Sequence, residues 1–443
     1  MPRSLKIRQD QLDQVRLSLI RNGYPTQRSL AEHVGLALTT VNNFLNGRAV
    51  DYTTFEEIAR RLSLDWKEIA DLGSELVIQA SEKKSKILNF NNVNSDITLL
   101  YPSGILPINF PYYVARNPLE EQIKEKIAEV GALVQIRAPR ETGKSSMLLR
   151  VLEHAHSQLG YSVVTLNLAQ QLDRQTLVNF NQFLRWLCAN TANALSLEPR
   201  LDEFWSSDLG SKTSSTRYFQ NYLLLKINTP LVLALDNVDR LLEYPHSARD
   251  FFFLLNFWYQ QSKNSALWQK LRLVLVSSTG LYTPFDLNYS PFNLGLTIKL
   301  RNFEKQEVEQ LSKDYGLNWD SDLAKIIDNL AGQPFLVHQA LYHLSHTKAS
   351  PLQLLENSTT FGGIYFEHLN NLAIALRENQ DLSRTIELII NSKNTPRLDP
   401  LLIYKLSNLG LVKINRNRVS ISSPLYYQYF KNQSYKQLDI EFS

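Results

Sequence analysis

The chain has 443 residues, 44% of them hydrophobic, a formal net charge of +4 and one cysteine. That length supports two or three domains with well-packed cores. No apolar run approaches the roughly 20 residues that span a bilayer, and the N-terminus lacks a signal-peptide core, so a cytoplasmic chain with no membrane partner is expected. A single cysteine, Cys188, excludes an internal disulfide or a cysteine-based metal site, and its apolar neighbours make it a core thiol.

In chain order the first pattern is a pair of short helices. Ser29 to Leu36 reads as a helix ended at Gly35, and Leu38 to Gly47 as a second, the spacing of a helix-turn-helix. Leu30, Ala31, Val34, Val41 and Leu45 would pack the pair, with Leu62, Leu64, Trp66 and Ile69 closing the core of an all-α domain over residues 1–73. Thr39, Thr40, Asn42, Asn43 and Asn46 are then left outward, where they can meet base edges or phosphates, and Arg28 and Arg48 flank them as phosphate contacts. Over about residues 8–73 this stretch resembles the repressor-like helix-turn-helix domains. The charge balance is +4 over residues 1–50 but only +1 over 1–73, so one copy would bind DNA weakly. A helix pair used for protein contact is the alternative. Avidity in an oligomer would make weak DNA sites sufficient.

Residues 74–100 read as a linker, charged at Ser81–Lys86 and then rich in asparagine. Beyond it, Leu133–Ile136 is a short apolar run suited to a buried strand, and Met147, Leu148, Val151, Leu152 and Ala155 recur at helical spacing. Between them stand Ala138, Pro139, Arg140, Glu141, Thr142, Gly143, Lys144 and Ser145, followed by Ser146. This is a phosphate-binding loop that lacks only its first glycine, with backbone N–H groups and a helix N-terminus converging on phosphate oxygens. Lys144 would reach the β- and γ-phosphates of ATP and the Ser145 hydroxyl would hold Mg²⁺. Ala138 tolerates positive φ poorly, so the loop must enter its turn differently. The competing reading is a glycine-capped turn before a surface helix. His154 and His156 lie two apart on the predicted helix, facing different ways, which argues against shared metal ligation.

Ser162–Asn167 is a second strand and Leu231–Asp236 a third, its five apolar residues ending in a carboxylate that suits the second Mg²⁺ ligand. Asn237 follows where many ATPases carry a glutamate base, and asparagine cannot act as one. Either Asp239 or a partner's residue takes that role, or hydrolysis is slow and the nucleotide acts as a switch. Leu273–Val276 leads into Ser277, Ser278 and Thr279, hydroxyls placed to sense a γ-phosphate. The aromatic run Phe251–Tyr259 falls on a helix and reads as core. Alternating strands and helices imply a parallel αβα sandwich over 101–302, helical periodicity beyond Phe303 implies a lid over 303–375, and the helix at Leu401–Leu406 with a hairpin around Arg416 and Arg418 outlines a winged helix within 376–443.

From about Tyr101 onward these residues resemble the AAA-like P-loop ATPases related to the STAND class of signalling NTPases. The resemblance rests on Tyr112–Arg116 with Glu121, the Ala-Pro-Arg form of the loop, Leu235–Leu241, Ser290–Gly295 and Gly332-Gln333-Pro334. It implies ATP or ADP as ligand, Arg116 bordering the nucleotide, Pro334 packing near adenine and a winged helix that closes on the ADP state. Two departures stand out: Asn237 in place of glutamate, which bears on turnover, and Gly280 where some relatives carry an arginine. Arg240, Arg249 and Arg301 are candidate arginine fingers by placement alone. The function implied is a nucleotide-switched regulator of signal transduction, transcription or defence that engages DNA, an effector protein and further copies of itself. A nucleic-acid motor or loader, or a pseudo-ATPase scaffold, is the alternative.

Overall fold

The computed structural model describes residues 4–8, 12, 15, 18, 26–34, 36–62, 69–70, 101–206, 208–278, 294–392, 398–415 and 418–440. The chain divides into two compact units, Met1–Asn92 and Val93–Ser443. Gly35, Leu64, Trp66, the stretch 74–100, Thr279, Gly280, Ser290–Asn293 and Arg416 lie outside the described residues.

The first unit holds β1 (Ser4–Leu5), α1 (Gln27–Val34), α2 (Leu38–Leu45), β2 (Val50–Asp51) and α3 (Tyr52–Arg61). On α2, Val41, Phe44 and Leu45 are buried at i, i+3 and i+4, and Phe44 meets Phe55 of α3 edge-on at 4.9 Å. Leu30, Ala31, Leu62 and Ile69 join them in one core. Thr39, Asn42 and Asn46 are exposed with Arg28 and Arg48, and Thr40 and Asn43 are half-buried. Asn46 Nδ2 donates to the Asn42 side chain at 2.7 Å, so these two outward amides hold each other. The unit is not all-α. β1 and β2 pair antiparallel, Leu5 opposite Val50, because Leu5 and Ile7 point inward on either side of exposed Lys6, a strand's period of two.

In the second unit α4 (Leu119–Ala128), β3 (Leu133–Arg137), α5 (Lys144–Ser157), β4 (Ser162–Asn167), α6 (Phe180–Ala194), α7 (Gly210–Tyr218), β5 (Leu231–Asp236), α8 (Pro245–Asn264), β6 (Leu271–Ser277) and β7 (Leu296–Lys299) form a three-layer sandwich. All pairings are parallel, in the order β4-β5-β6-β3-β7. Parity decides which layer each side chain joins. Val134, Ile136, Val232, Ala234, Val274 and Val276 face α4 and α5, whereas Leu133, Leu231, Leu233, Leu235, Leu273 and Leu275 face α6, α7 and α8. Burial on both faces explains the unbroken apolar run of β5. The aromatic run on α8 fills the second of these layers: Phe251, Phe252 and Trp258 are buried and Phe251 meets Phe183 edge-on at 4.9 Å, while Phe257 stays 48% exposed. Cys188 is buried there too, and desolvation pushes its thiol up.

Helices continue as α9 (Lys305–Asp314), α10 (Ser321–Leu330), α11 (Pro334–His346), α12 (Pro351–Asn357), α13 (Phe366–Arg377), α14 (Gln380–Asn391) and α15 (Pro400–Asn408), followed by the antiparallel hairpin β8 (Val412–Asn415) and β9 (Arg418–Ile421) and by α16 (Pro424–Ile440). One hydrophobic core runs from Phe303 to Phe430, joining Leu336, Leu341 and Tyr365 to Leu406, Leu411 and Tyr426. Gly332 makes the α10–α11 turn possible: at φ +65° a Cβ there would lie 2.3 Å from the Phe303 carbonyl oxygen.

Candidate nucleotide site

The loop leaves β3 at Arg137, and Ala138, fully buried, donates its N–H to the Ser277 carbonyl at 3.3 Å. The left-handed turns fall at Glu141 (φ 61°) and Gly143 (φ 93°) instead of at Ala138, and α5 starts at Lys144 with its first N–H groups free of intrahelical partners. Lys144 Nζ donates to the carbonyls of Ala138 at 2.9 Å and Pro139 at 2.7 Å. Desolvation lowers its pKa to about 8, against the pull of Asp239 and Asp236.

The ends of the parallel strands bring the polar residues together. Ser145 Oγ donates to Asp236 Oδ2 at 3.0 Å, the juxtaposition that a shared magnesium requires. Burial pushes the Asp236 carboxyl up, while that hydroxyl and the Asn237 N–H, 2.9 Å from Oδ1, pull in the opposite direction. Asn237 is left-handed (φ 57°), and its Nδ2 donates to Asn167 Oδ1 at 3.1 Å, where β4 ends. Asp239 accepts from both the Ser278 N–H, at 3.2 Å, and the Ser278 hydroxyl. Its carboxylate is thereby tied to the strand end that sequence alone nominated as a sensor.

Beside the loop a cavity of about 190 Å³ takes Arg116, Glu141, Thr142, Gly143, Ser146 and Pro334 into its lining, six of the residues expected to meet nucleotide. Arg116 is 6% exposed: its guanidinium lies 4.3 Å over the Phe303 ring and donates to the Arg301 carbonyl at 3.0 Å. The acidic partner in this motif is Glu120, not Glu121. Glu120 accepts from the Arg116 N–H at 2.8 Å and from the Tyr113 hydroxyl, because it faces inward at the start of α4; Glu121, one position round the helix, points out and pairs with Lys124 at 2.8 Å. Of the candidate fingers, Arg240 pairs with Glu243, Arg249 lies over Phe253, and Arg301 pairs with Glu307 at 2.6 Å.

Several participants were invisible in the sequence. Residues 101–110 form a strap over the cavity, and Arg150 of α5 donates to the carbonyls of Leu106, Pro107 and Ile108 at 3.2, 2.6 and 3.2 Å with its guanidinium 3.4 Å over Tyr113. The one available signal was Pro102, Pro107 and Pro111, which bar regular structure and leave carbonyls in need of an outside donor. From the C-terminal end, the Asn408 carbonyl accepts the Arg140 N–H at 3.2 Å. Glu141 meets His368 Nδ1 at 3.0 Å, and His368 Nε2 meets the Tyr426 hydroxyl at 2.8 Å. Tyr404 of α15 stands near Asp239, Asn408 and Ser278, and burial pushes its hydroxyl up to about 12.

A parallel αβα sheet with a lysine-bearing loop at the C-terminal ends of its strands defines a P-loop NTPase, and the match of residues 101–432 to the AAA-like domain places this chain in that family. Among curated proteins, an uncharacterized WD repeat-containing protein of Synechocystis sp. (strain ATCC 27184 / PCC 6803 / Kazusa) is 28% identical over 248 residues, 53% of this chain and 20% of that protein. The chain therefore spans about a fifth of the length of that curated relative. Among solved structures, a Walker-type ATPase of Pyrococcus abyssi is 13% identical with a TM-score of 0.49, covering 72% of this chain and 96% of its own. The ORC2 protein of Aeropyrum pernix is 14% identical with a TM-score of 0.45, covering 74% and 95%. No helix among the described residues is long and apolar enough to cross a membrane.

Proposed function

We propose that this chain is a nucleotide-switched regulatory ATPase of STAND-like type, whose C-terminal segment responds to what the phosphate loop holds. The observation that carries this reading is the seating of α15 on the loop: the Asn408 carbonyl takes the Arg140 N–H, and Tyr404 stands beside Asp239. Lys144, meanwhile, spends its donors on carbonyls of its own loop. Entry of a polyphosphate would draw Lys144 off those carbonyls, reshape the loop and disturb the Asn408 contact. Ser145 and Asp236 fit Mg²⁺, which when bound supplies charge neutralisation between the β- and γ-phosphates. The first unit engages DNA through Arg28, Thr39, Thr40, Asn42, Asn43, Asn46 and Arg48, with avidity from oligomers compensating for its modest charge, and the effector is a further protein.

Slow turnover belongs to this reading, because the Asn237 amide cannot accept a proton and Asp239 is bonded to Ser278. The purified chain should therefore carry ADP, or bind ATP with Mg²⁺, and hydrolyse it slowly. Asn237→Glu supplies a base beside the Asn167 side chain, and turnover should rise by about tenfold or more in a phosphate-release assay. A rate unchanged by that substitution assigns the base elsewhere; rapid, DNA-stimulated hydrolysis by the unaltered chain would favour a motor and overturn the switch.

Lys144 also dictates a pH dependence. Its pKa in the free site is about 8, and a bound phosphate must raise it, so the complex holds more protons than the free chain above pH 8. Nucleotide affinity is expected to fall as pH rises through 8 and to be insensitive to this group below pH 7. Calorimetry at pH 8.5 in two buffers of different ionisation heat should register proton uptake on binding.

A further inference from the structure

His338 of α11 is 4% exposed and lines the cavity beside the loop, yet no part of the phosphate chemistry uses it. Three rings enclose the imidazole edge-on: Phe110 with centroids 6.3 Å away, Phe303 at 5.6 Å and Tyr315 at 6.3 Å. Its Nδ1 lies 3.3 Å from the Tyr315 hydroxyl, and Nε2 has no hydrogen-bond partner among the described residues. Tyr315 is itself fixed, stacked on Tyr112 at 3.8 Å and 14°. Tyr112 of the upstream motif thus stacks directly on the lid, and the Tyr315 hydroxyl extends that contact to the imidazole.

The protonation state follows from the surroundings. Burial, with the Arg116 cation adding to it, lowers the His338 pKa to about 4, and burial raises that of Tyr315, so at neutral pH a neutral imidazole faces an intact phenol. Between these two, the phenol O–H is the stronger acid and the bare ring nitrogen the stronger base. Tyr315 therefore donates to Nδ1, which fixes the tautomer and leaves the proton on Nε2. An N–H donor with no protein partner among the described residues, in a largely apolar cavity, selects a ligand that places an acceptor there and rejects one that places a donor or a C–H.

We propose that His338 is the base-reading residue of this site, its Nε2–H donating to a ring nitrogen of adenine. This rests on the reading that the cavity takes the nucleoside end of a nucleotide whose phosphates lie at Lys144. Tyr315 is then a positioning residue, acting through the tautomer it imposes.

The test is a cycle between protein and ligand on the full chain, with ADP and its 1-deaza, 3-deaza and 7-deaza analogues titrated calorimetrically. Against the unaltered chain, one analogue should bind about tenfold more weakly than ADP, because it replaces the acceptor with C–H. Against His338→Phe, ADP itself should weaken by about the same factor and that analogue's further penalty should vanish. Tyr315→Phe keeps the stack but frees the tautomer, so it should shrink the analogue's penalty without touching the loop. A penalty that persists undiminished in both variants, or three analogues that all match ADP on the unaltered chain, would overturn the assignment of His338 while leaving the nucleotide site in place. Failure of the unaltered chain to bind ADP at all would overturn the site itself and this inference with it.

Discussion

Lys144→Ala should abolish nucleotide retention, weakening ADP and ATP by a hundredfold or more. In the free chain the ammonium donates to the Ala138 and Pro139 carbonyls, so those bonds and its desolvation have already been set against each other in the folded loop. Phosphate oxygens offer it a charged partner instead. Hydrogen bonds to charged groups are worth about 1.5–3 kcal/mol each, and losing two of them corresponds to roughly a hundredfold or more in Kd. Lys144 is half-buried at the start of α5 and packs no part of the core, so the variant should remain folded. Equilibrium dialysis with labelled ADP, alongside a melting curve, separates the two effects. Retention within a few fold of the unaltered chain would mean that phosphate does not sit against this lysine.

Gly332→Ala should be the most damaging small substitution in the lid. Two costs combine at this position. Holding an L side chain at φ +65° costs about 1–2 kcal/mol, and a Cβ 2.3 Å from the Phe303 carbonyl oxygen forces the backbone apart, breaking the 2.8 Å bond from the Phe303 N–H to the Gly332 carbonyl. A total near 3 kcal/mol is expected, read as a shift in denaturant midpoint. Gly316→Ala is the matched comparison. It has a similar φ of +75° with no atom within 4 Å of its Cβ, so only the backbone cost applies. Because Phe303 carries the Arg116 guanidinium, nucleotide affinity should fall with Gly332→Ala and stay unchanged with Gly316→Ala. Equal destabilisation by both would show that the close approach to Phe303 contributes nothing.

The sandwich was readable because its strands obey local rules. A run such as Leu231–Asp236 announces burial on two faces and ends in its own functional carboxylate, and the loop sequence fixes both the turn at Gly143 and the start of α5. Residue-level assignment failed where a single helical step decides direction, as between Glu120 and Glu121, or where a two-residue pairing such as Leu5 with Val50 is too short to leave a pattern. Contacts that join distant parts of the chain left little trace: the prolines between 102 and 111 ask for an outside donor without naming it. Nothing near Arg150 indicates that its partners are the carbonyls of residues 106–108, and nothing near Asn408 or Tyr404 indicates the phosphate loop. His338 reads in sequence as one more polar position on a helix. Only the enclosure by Phe110, Phe303 and Tyr315 turns it into a chemical group with a defined proton.

The shared interior from Phe303 to Phe430 restricts how this protein can move and how it can be dissected. Leu406, Leu411 and Tyr426 sit among the same side chains as Leu336, Leu341 and Tyr365, so peeling the tail from the lid would wet both surfaces at once. If nucleotide disturbs the Asn408 contact as proposed, the helices that share this core would respond as one block. Amputating residues 376–443 would not free a minimal ATPase; it would leave the lid with an open wound.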